Sequence, residues 1–290
     1  MSRVTEAAFV VRLSVGSEPH RQPDWLAVEE PLELRVGGRS LAVTMRTPGS
    51  DFDLAAGFAL SEGVVTARDQ LATIRYCAGA GTDGSGNSFN VVDLTLAPGV
   101  TPPDLEALRR TFFTTSSCGL CGKASIDTVR TRSAYEVRAD PLVVDPAVLV
   151  VLPERLRAAQ KVFERTGGLH AAALFDRAGD LLVLREDVGR HNAVDKVLGW
   201  ALREGRVPLR GTILAVSGRA SFELVQKALM AGIPLLCAVS APSSLAVGLA
   251  VESGMTVVGF LRSPSMVIYS AAQRLGLAQH LAPERSCRVP

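Results

Sequence analysis

The chain of 290 residues has no long run of like charge, and no apolar stretch in it reaches bilayer-spanning length. Thirty-one Lys and Arg stand against 29 Asp and Glu, a net charge of +2, and the isoelectric point is near 8.3. That balance gives no electrostatic case for a protein that coats nucleic acid or lies on a membrane surface. Met1 to Glu6 lack the basic start, apolar run and small-residue cleavage site of a secretory signal, so the expected location is the reducing cytoplasm. No G-x-x-x-x-G-K-[ST] occurs, no G-x-G-x-x-G stands between a strand and a helix, and no G-x-S-x-G is present. P-loop, dinucleotide and serine-nucleophile fingerprints are therefore missing. Five cysteines include one C-x-x-C, with no second C-x-x-C or H-x-x-x-H to match it. A zinc knuckle needs that second pair, so no bound metal is expected.

What is present is Thr114-Thr115-Ser116-Ser117-Cys118-Gly119-Leu120-Cys121-Gly122-Lys123. Two thiols at this spacing can close a disulfide, share a metal, or let one thiolate carry a transferable sulfur while the other assists. Gly119 and Gly122 remove Cβ atoms from the neighbourhood, so a bulky partner can approach the sulfurs. A helix beginning at Gly122-Lys123-Ala124-Ser125-Ile126 would lower the pKa of a nearby thiol through its free N–H groups, with Lys123 adding to the effect. Cys77 and Cys237 lie in apolar runs and read as small buried hydrophobes, and Cys287 reads as a tail residue.

With 47% hydrophobic residues the chain can build two cores of ordinary size. The expected domains are 1–145, an α+β roll ending in the C-x-x-C loop, and 146–290, a three-layer α/β sandwich with mostly parallel strands in its middle. In the first, Ala8–Leu13 reads as an edge strand and Glu18–Asp24 as a loop. Leu32–Met45 alternates on both sides of Gly37-Gly38, as a hairpin should. Asp51 is expected to cap a helix from about Phe52 to Glu62 with Leu54, Phe58 and Leu60 facing a core. A second hairpin, Ile74–Cys77 with Phe89–Leu96, brackets a Gly/Asn/Ser-rich loop expected to be mobile and completes a small antiparallel sheet. Leu105, Leu108 and Phe112 recur at helical spacing up to the cysteines, and Leu156–Phe163 is helical in pattern.

The second domain alternates strands and helices. Ala171–Arg185 reads strand, turn, strand, and Asp187–Leu198 reads helix. Gly211–Val216, Pro234–Val239 and Thr256–Phe260 read as strands, with helices at Ser221–Ala231 and Ser243–Ser253 between them. Ligands bind beyond the carboxyl ends of such strands. There stand Ser217-Gly218-Arg219, Ser240–Ser244 and Arg262. Ser217–Ser221 suits a phosphate as well as it suits an ordinary strand-to-helix turn. Arg190-His191-Asn192 reads as ligand contact rather than metal ligation, and Ser240–Ser244 as helix capping.

Five ordered blocks resemble the FdhD family, the sulfur carrier proteins needed to make active formate dehydrogenase. They are Thr47–Phe58 with Ser61-Glu62-Gly63, Ser117–Lys123, Thr166–Ala172, Arg185–Lys196 and Ser217–Ser221, and the resemblance runs from roughly Leu32 to Tyr269. It implies a sulfurtransferase that accepts sulfur from a cysteine desulfurase as a persulfide on Cys118, with Cys121 as helper. The sulfur would pass to the molybdenum or tungsten of a bis(molybdopterin guanine dinucleotide) cofactor held as substrate, for which GDP is a partial mimic. It also implies a homodimer with formate dehydrogenase as partner, no nucleic acid or membrane, and a second domain similar to the cytidine deaminase fold. Arg190-His191-Asn192 and Ser217–Ser221 stand where deaminases carry zinc ligands, so zinc deamination is not expected. The resemblance assigns cofactor contact to Phe260-Leu261-Arg262-Ser263-Pro264-Ser265, and the reading of the residues adds Ser217, Gly218 and Arg219 at a strand end and His191 near a helix start. Ser265 replaces a second basic residue common in the family, and Val267 an Asn. The other reading of the cysteines is a thiol-disulfide oxidoreductase or redox sensor, which needs no nucleotide pocket.

Overall fold

The computed structural model describes residues 4–77, 89–102, 104 and 133–277. Strands β1 (Thr5–Arg12) and β2 (His20–Ala27) pair antiparallel in a separate ribbon. The expected loop at Glu18–Asp24 is therefore largely strand. Pro23 disguised it, but among the described residues β2 has no strand partner beyond β1, and an edge strand tolerates a proline.

The hairpin at Gly37-Gly38 forms as expected from β3 (Glu30–Val36) and β4 (Arg39–Arg46), with φ of 57° and 80° at the two glycines. Helix α1 (Asp51–Ser61) follows, burying Leu54 and Leu60 completely. Asp51 does not cap it. Ser50 holds the position before the helix, and the Asp51 carboxylate accepts hydrogen bonds from Arg46 at 3.0 and 3.2 Å and from the Tyr76 hydroxyl at 3.1 Å. Strands β5 (Leu71–Tyr76) and β6 (Val91–Leu96) pair antiparallel, but β6 lies parallel to β3, so the sheet β4-β3-β6-β5 is mixed. The chain crosses on α1 before returning, which brings β6 alongside β3 in the same direction.

Three short helices, α2 (Pro146–Leu149), α3 (Leu152–Ala159) and α4 (Lys161–Thr166), open the second half. The continuous helical pattern breaks at Gln160, where ψ swings to 77°. The large sheet runs β12-β11-β10-β9-β7-β8. Its strands are β7 (His170–Phe175), β8 (Leu181–Asp187), β9 (Ile213–Val216), β10 (Leu235–Ala238), β11 (Thr256–Arg262) and β12 (Ser265–Ser270). The parallel part is β9, β10 and β11, flanked by antiparallel partners at both ends. β12 is unanticipated, because its exposed Ser265 and Val267 mask the alternation that makes it a strand. Helices α5 (Arg190–Arg203), α6 (Phe222–Met230) and α7 (Ser244–Ser253) complete the architecture. β8 runs on through Asp187, so α5 starts three residues later than its pattern suggests.

Alternation along each strand divides the interior into two layers. Leu214, Val216 and Leu236 join α5 and α6 in one core that continues through α1 to Leu32, Leu34 and Leu94 of the small sheet. Ile213, Ala215, Leu235 and Cys237 face the other way, against Leu149, Leu152 and Leu156 of α2 and α3. This is the expected helix–sheet–helix sandwich.

The join between small and large sheets is the crossing of α1 with α5. A Cβ on Gly57 would overlap the carbonyl oxygen of Asp195, and a Cβ on Gly199 that of Asp53. We expect Gly57→Ala or Gly199→Ala to cost about 3 kcal/mol, since overpacking against backbone cannot be relieved by a rotamer change. Gly248→Ala, in open space on α7, should cost nothing or add up to ~1 kcal/mol. Urea denaturation of the three variants checks this, and equal midpoints would refute it.

Candidate functional site

The residues after the three parallel strands are stitched side by side. Ser217 is pinned to β7 twice: its N–H donates to the Ala171 carbonyl at 3.0 Å, and its Oγ accepts from the Ala171 N–H at 2.9 Å. The Gly218 carbonyl accepts from Ser240 N at 3.3 Å, and the Ser240 carbonyl accepts from Phe260 N at 3.2 Å. Gly259 makes that approach possible, because a Cβ there would come within 2.9 Å of Pro242 and Tyr269. Phe260 itself turns with φ 48°. Ser243 caps α7, its Oγ accepting from Ala246 N at 3.3 Å, which agrees with the capping role read for this serine run.

The start of α5 is held against this rim by a buried carboxylate. Asp187 accepts hydrogen bonds from Gly189 N (2.8 Å), Asn192 Nδ2 (3.1 Å) and Thr47 N (3.2 Å), and it pairs with Lys196 at 2.7 Å. Both members of that pair are almost wholly buried. An ion pair there is tolerable because each charge has further hydrogen bonds, Lys196 donating to the Thr47 carbonyl at 2.8 Å. One turn along, His191 Nε2 lies 3.4 Å from Ser221 Oγ and 3.7 Å from Glu223 Oε2. This contact with the His191 ring is the main reason the Glu223 carboxyl is held down to about 2. His170, at the start of β7, is pushed below the ordinary histidine value by burial first and then by the Arg190 and His191 charges. Its ring is therefore neutral at physiological pH. Gly218 lies against it, a Cβ there falling 3.6 Å from His170 Nδ1.

Ser217, Gly218, His191, Ser221, Ser240 and Phe260 thus lie along one rim. Arg219, Arg262, Ser263, Pro264 and Ser265 are exposed where the chain continues from it, Arg262 ending β11 and facing Ser265, the first residue of β12, across the turn. Leu261 is 1% exposed and belongs to the core, so only its backbone is available to a ligand. Cys118 and Cys121 lie outside the described residues, as do the expected helices on either side of them and the Gly/Asn/Ser-rich loop. Three residues of the site escaped the sequence reading. Glu223 and Gln160 belong to no motif, and His170 was visible only inside Thr166-Gly167-Gly168-Leu169-His170. A cleft of about 520 Å³ opens beside the rim, lined by Leu156, Gln160, Phe163, His170, Val188, Ser217 and Val239 among others. Among the described residues no group of three or more His, Cys, Asp or Glu side chains is placed to hold a metal ion, and no helix is long and apolar enough to cross a membrane.

Comparison with known proteins is consistent along the whole chain. Sulfur carrier protein FdhD of Mycolicibacterium paratuberculosis is 61% identical over 274 residues, covering 94% of this chain and 100% of that one. The protein of the same name from Streptomyces avermitilis is 61% identical over 278 residues, 96% of this chain and 98% of that one. A crystal structure from Desulfotalea psychrophila, described as a formate dehydrogenase accessory protein, superposes with a TM-score of 0.73 at 20% identity, covering 94% of this chain and 100% of that one. It shares the fold. The model of the FdhD/NarQ family matches residues 27–276, from the end of the β1–β2 ribbon to the end of the large sheet, and the chain belongs to that family.

Proposed function

We propose that this protein is a sulfur carrier serving formate dehydrogenase. It takes sulfur from a cysteine desulfurase as a persulfide on Cys118 and passes it to the metal of a bis(molybdopterin guanine dinucleotide) cofactor. The observation that carries the reading is the family match over residues 27–276, a stretch that holds both the Cys118–Cys121 pair and every loop at the strand ends. Relatives named as sulfur carrier proteins and a fold shared with a formate dehydrogenase accessory protein support it.

Sulfur uptake balances as a thiolate exchange. The Cys118 thiolate attacks the outer sulfur of the donor's cysteine persulfide, the donor's S–S bond breaks, and the donor cysteine leaves as thiolate. The transferred sulfur keeps its oxidation state, so no external oxidant or reductant takes part in loading. The cofactor's phosphates need several donors, and Arg219, on the loop after β9, and Arg262, at the end of β11, supply exposed guanidinium groups at the rim. Metal identity is a matter for the cofactor, since the rim residues address its nucleotide ends.

Two outcomes are expected. After incubation with a cysteine desulfurase and cysteine, intact-mass measurement should find one added sulfur on the wild type and on Cys121→Ala, and none on Cys118→Ala. Loading of Cys118→Ala with loss in Cys121→Ala would reverse the assignment. Separately, Arg219→Ala and Arg262→Ala should each weaken GDP binding by roughly 30-fold, equivalent to about 2 kcal/mol, with sulfur loading unchanged. Calorimetric titration beside the mass assay decides it: intact GDP affinity in both variants would place the phosphates elsewhere.

A further inference from the structure

We propose that the cleft beside the rim seats a planar heterocycle with a ring carbonyl, and that Gln160 recognises that carbonyl. This deepens the reading that a guanine dinucleotide is held at this end of the sheet, and rests on it.

Topology brings the lining together. Ser217 and Val239 directly follow the parallel strands β9 and β10. β7 runs antiparallel to β9, so its first residue, His170, comes to the same end, and Val188 follows β8 there too. Carboxyl ends of parallel strands are where such sheets receive ligands. The walls are apolar, made largely by Leu156, Phe163, Val188 and Val239, and the volume of about 520 Å³ suits a nucleotide-sized ligand.

The polar groups in the lining are few and are short of acceptors. Gln160 sits at the break between α3 and α4 with its backbone satisfied: its N–H donates to Arg157 O at 3.2 Å, and its carbonyl accepts from Glu164 N at 3.0 Å. Its side chain is another matter. The residue lines the cleft yet is only 3% exposed, and Nε2 has no hydrogen-bond partner among the described residues. A buried amide donor left in that state is destabilising, which favours any acceptor that can reach it. Nε2 itself is out of contact with solvent, so the amide would turn about its last side-chain bond to bring the NH₂ group to a ligand in the cleft. Ser217 Oγ is already engaged as an acceptor by Ala171 N, so what it has to offer a ligand is its hydroxyl hydrogen. His170 is neutral, as derived above, and brings no formal charge to the lining. Arg157 also lines the cleft, its guanidinium 4.2 Å from the Phe163 ring centroid, so donors between apolar walls fit a flat ring that presents a carbonyl, with any charged tail directed to Arg157 or to the exposed Arg219.

Guanine presents a carbonyl where adenine presents an amino donor, and a pterin carries the same pyrimidinone ring as guanine. A site built around an unpaired donor rejects the analogue that cannot satisfy it. The experiment is calorimetric titration of the full chain with GDP, ADP and neopterin, for wild type, Gln160→Met and Gln160→Glu. Gln160→Met removes both polar atoms, whereas Gln160→Glu keeps the shape and loses the donor, so one variant stands in for the other if either fails to fold. Thermal unfolding and sulfur loading of Cys118 monitor integrity.

The wild type should favour GDP over ADP. Both variants should lose about 10-fold in GDP affinity with ADP little changed. If neopterin affinity falls in place of GDP affinity, the seated ring is the pterin, and the inference stands. Wild-type GDP binding with unchanged GDP, ADP and neopterin affinities in the variants would overturn the inference and leave the cofactor reading intact. A wild type that binds neither GDP nor neopterin would instead count against the cofactor reading itself.

Discussion

The backbones of α1 and α5 touch, and most of what lies around the site follows from that contact. Two helices this close leave no room for side chains at the crossing, so Gly57 and Gly199 occupy it. Residues one turn away are then forced inward, among them the carboxylates Asp53 and Asp195. Asp53 meets Arg185 and Arg203, Asp195 meets Lys227 at 2.9 Å and the Ser61 hydroxyl at 2.7 Å, and Asp187 meets Lys196. The Asp53 and Asp195 pairs with Arg185, Arg203 and Lys227 join segments distant in the chain, and Asp187–Lys196 ties the end of β8 to α5. The crossing thereby fixes α5 relative to the large sheet, and the first turn of α5 carries His191 to Ser221 and Glu223.

These buried pairs do not behave as surface ion pairs do. Burial works against the Lys227 ammonium, but Asp195 and Glu62 outweigh it and leave its pKa above the ordinary value. Glu62 is raised, because burial opposes its charge more than Lys227 supports it. Removing one partner from such a network strands the other without solvent, so the interior is held to one arrangement of charges. The arginines of the rim are different in kind. Arg219 and Arg262 are exposed and carry none of the fold's internal charge pairs described above, which leaves them available for anions.

How much of this the sequence disclosed depended on whether the governing contacts were local. Gly37-Gly38, the strands from Ile213 to Phe260 and the capping serine Ser243 were legible, because turn chemistry, alternation and capping act within a few residues. The parallel pairing of β3 with β6 was not, since nothing at Glu33 announces Val91 as its partner. Asp51 followed the capping rule and was diverted by Arg46, a competitor from the preceding strand. Likewise Ser217 could be placed at a strand end, and His191 near a helix start, from pattern alone. Gln160 acquires its meaning only when a helix break, two strands and a loop enclose it, and no local pattern encodes such an enclosure.

Cys237 sits in the middle of the large sheet, 1% exposed, and burial alone pushes its thiol far above the ordinary range. Sulfane sulfur moves readily from thiolate to thiolate, so on the proposed reading a reactive cysteine away from the Cys118–Cys121 pair would be a leak. A thiol kept protonated and out of reach neither attacks a persulfide nor resolves one. The sheet that orders the rim therefore also insulates the chemistry: by packing this cysteine between Ala215 and Val258, it removes a place where cargo could be stranded.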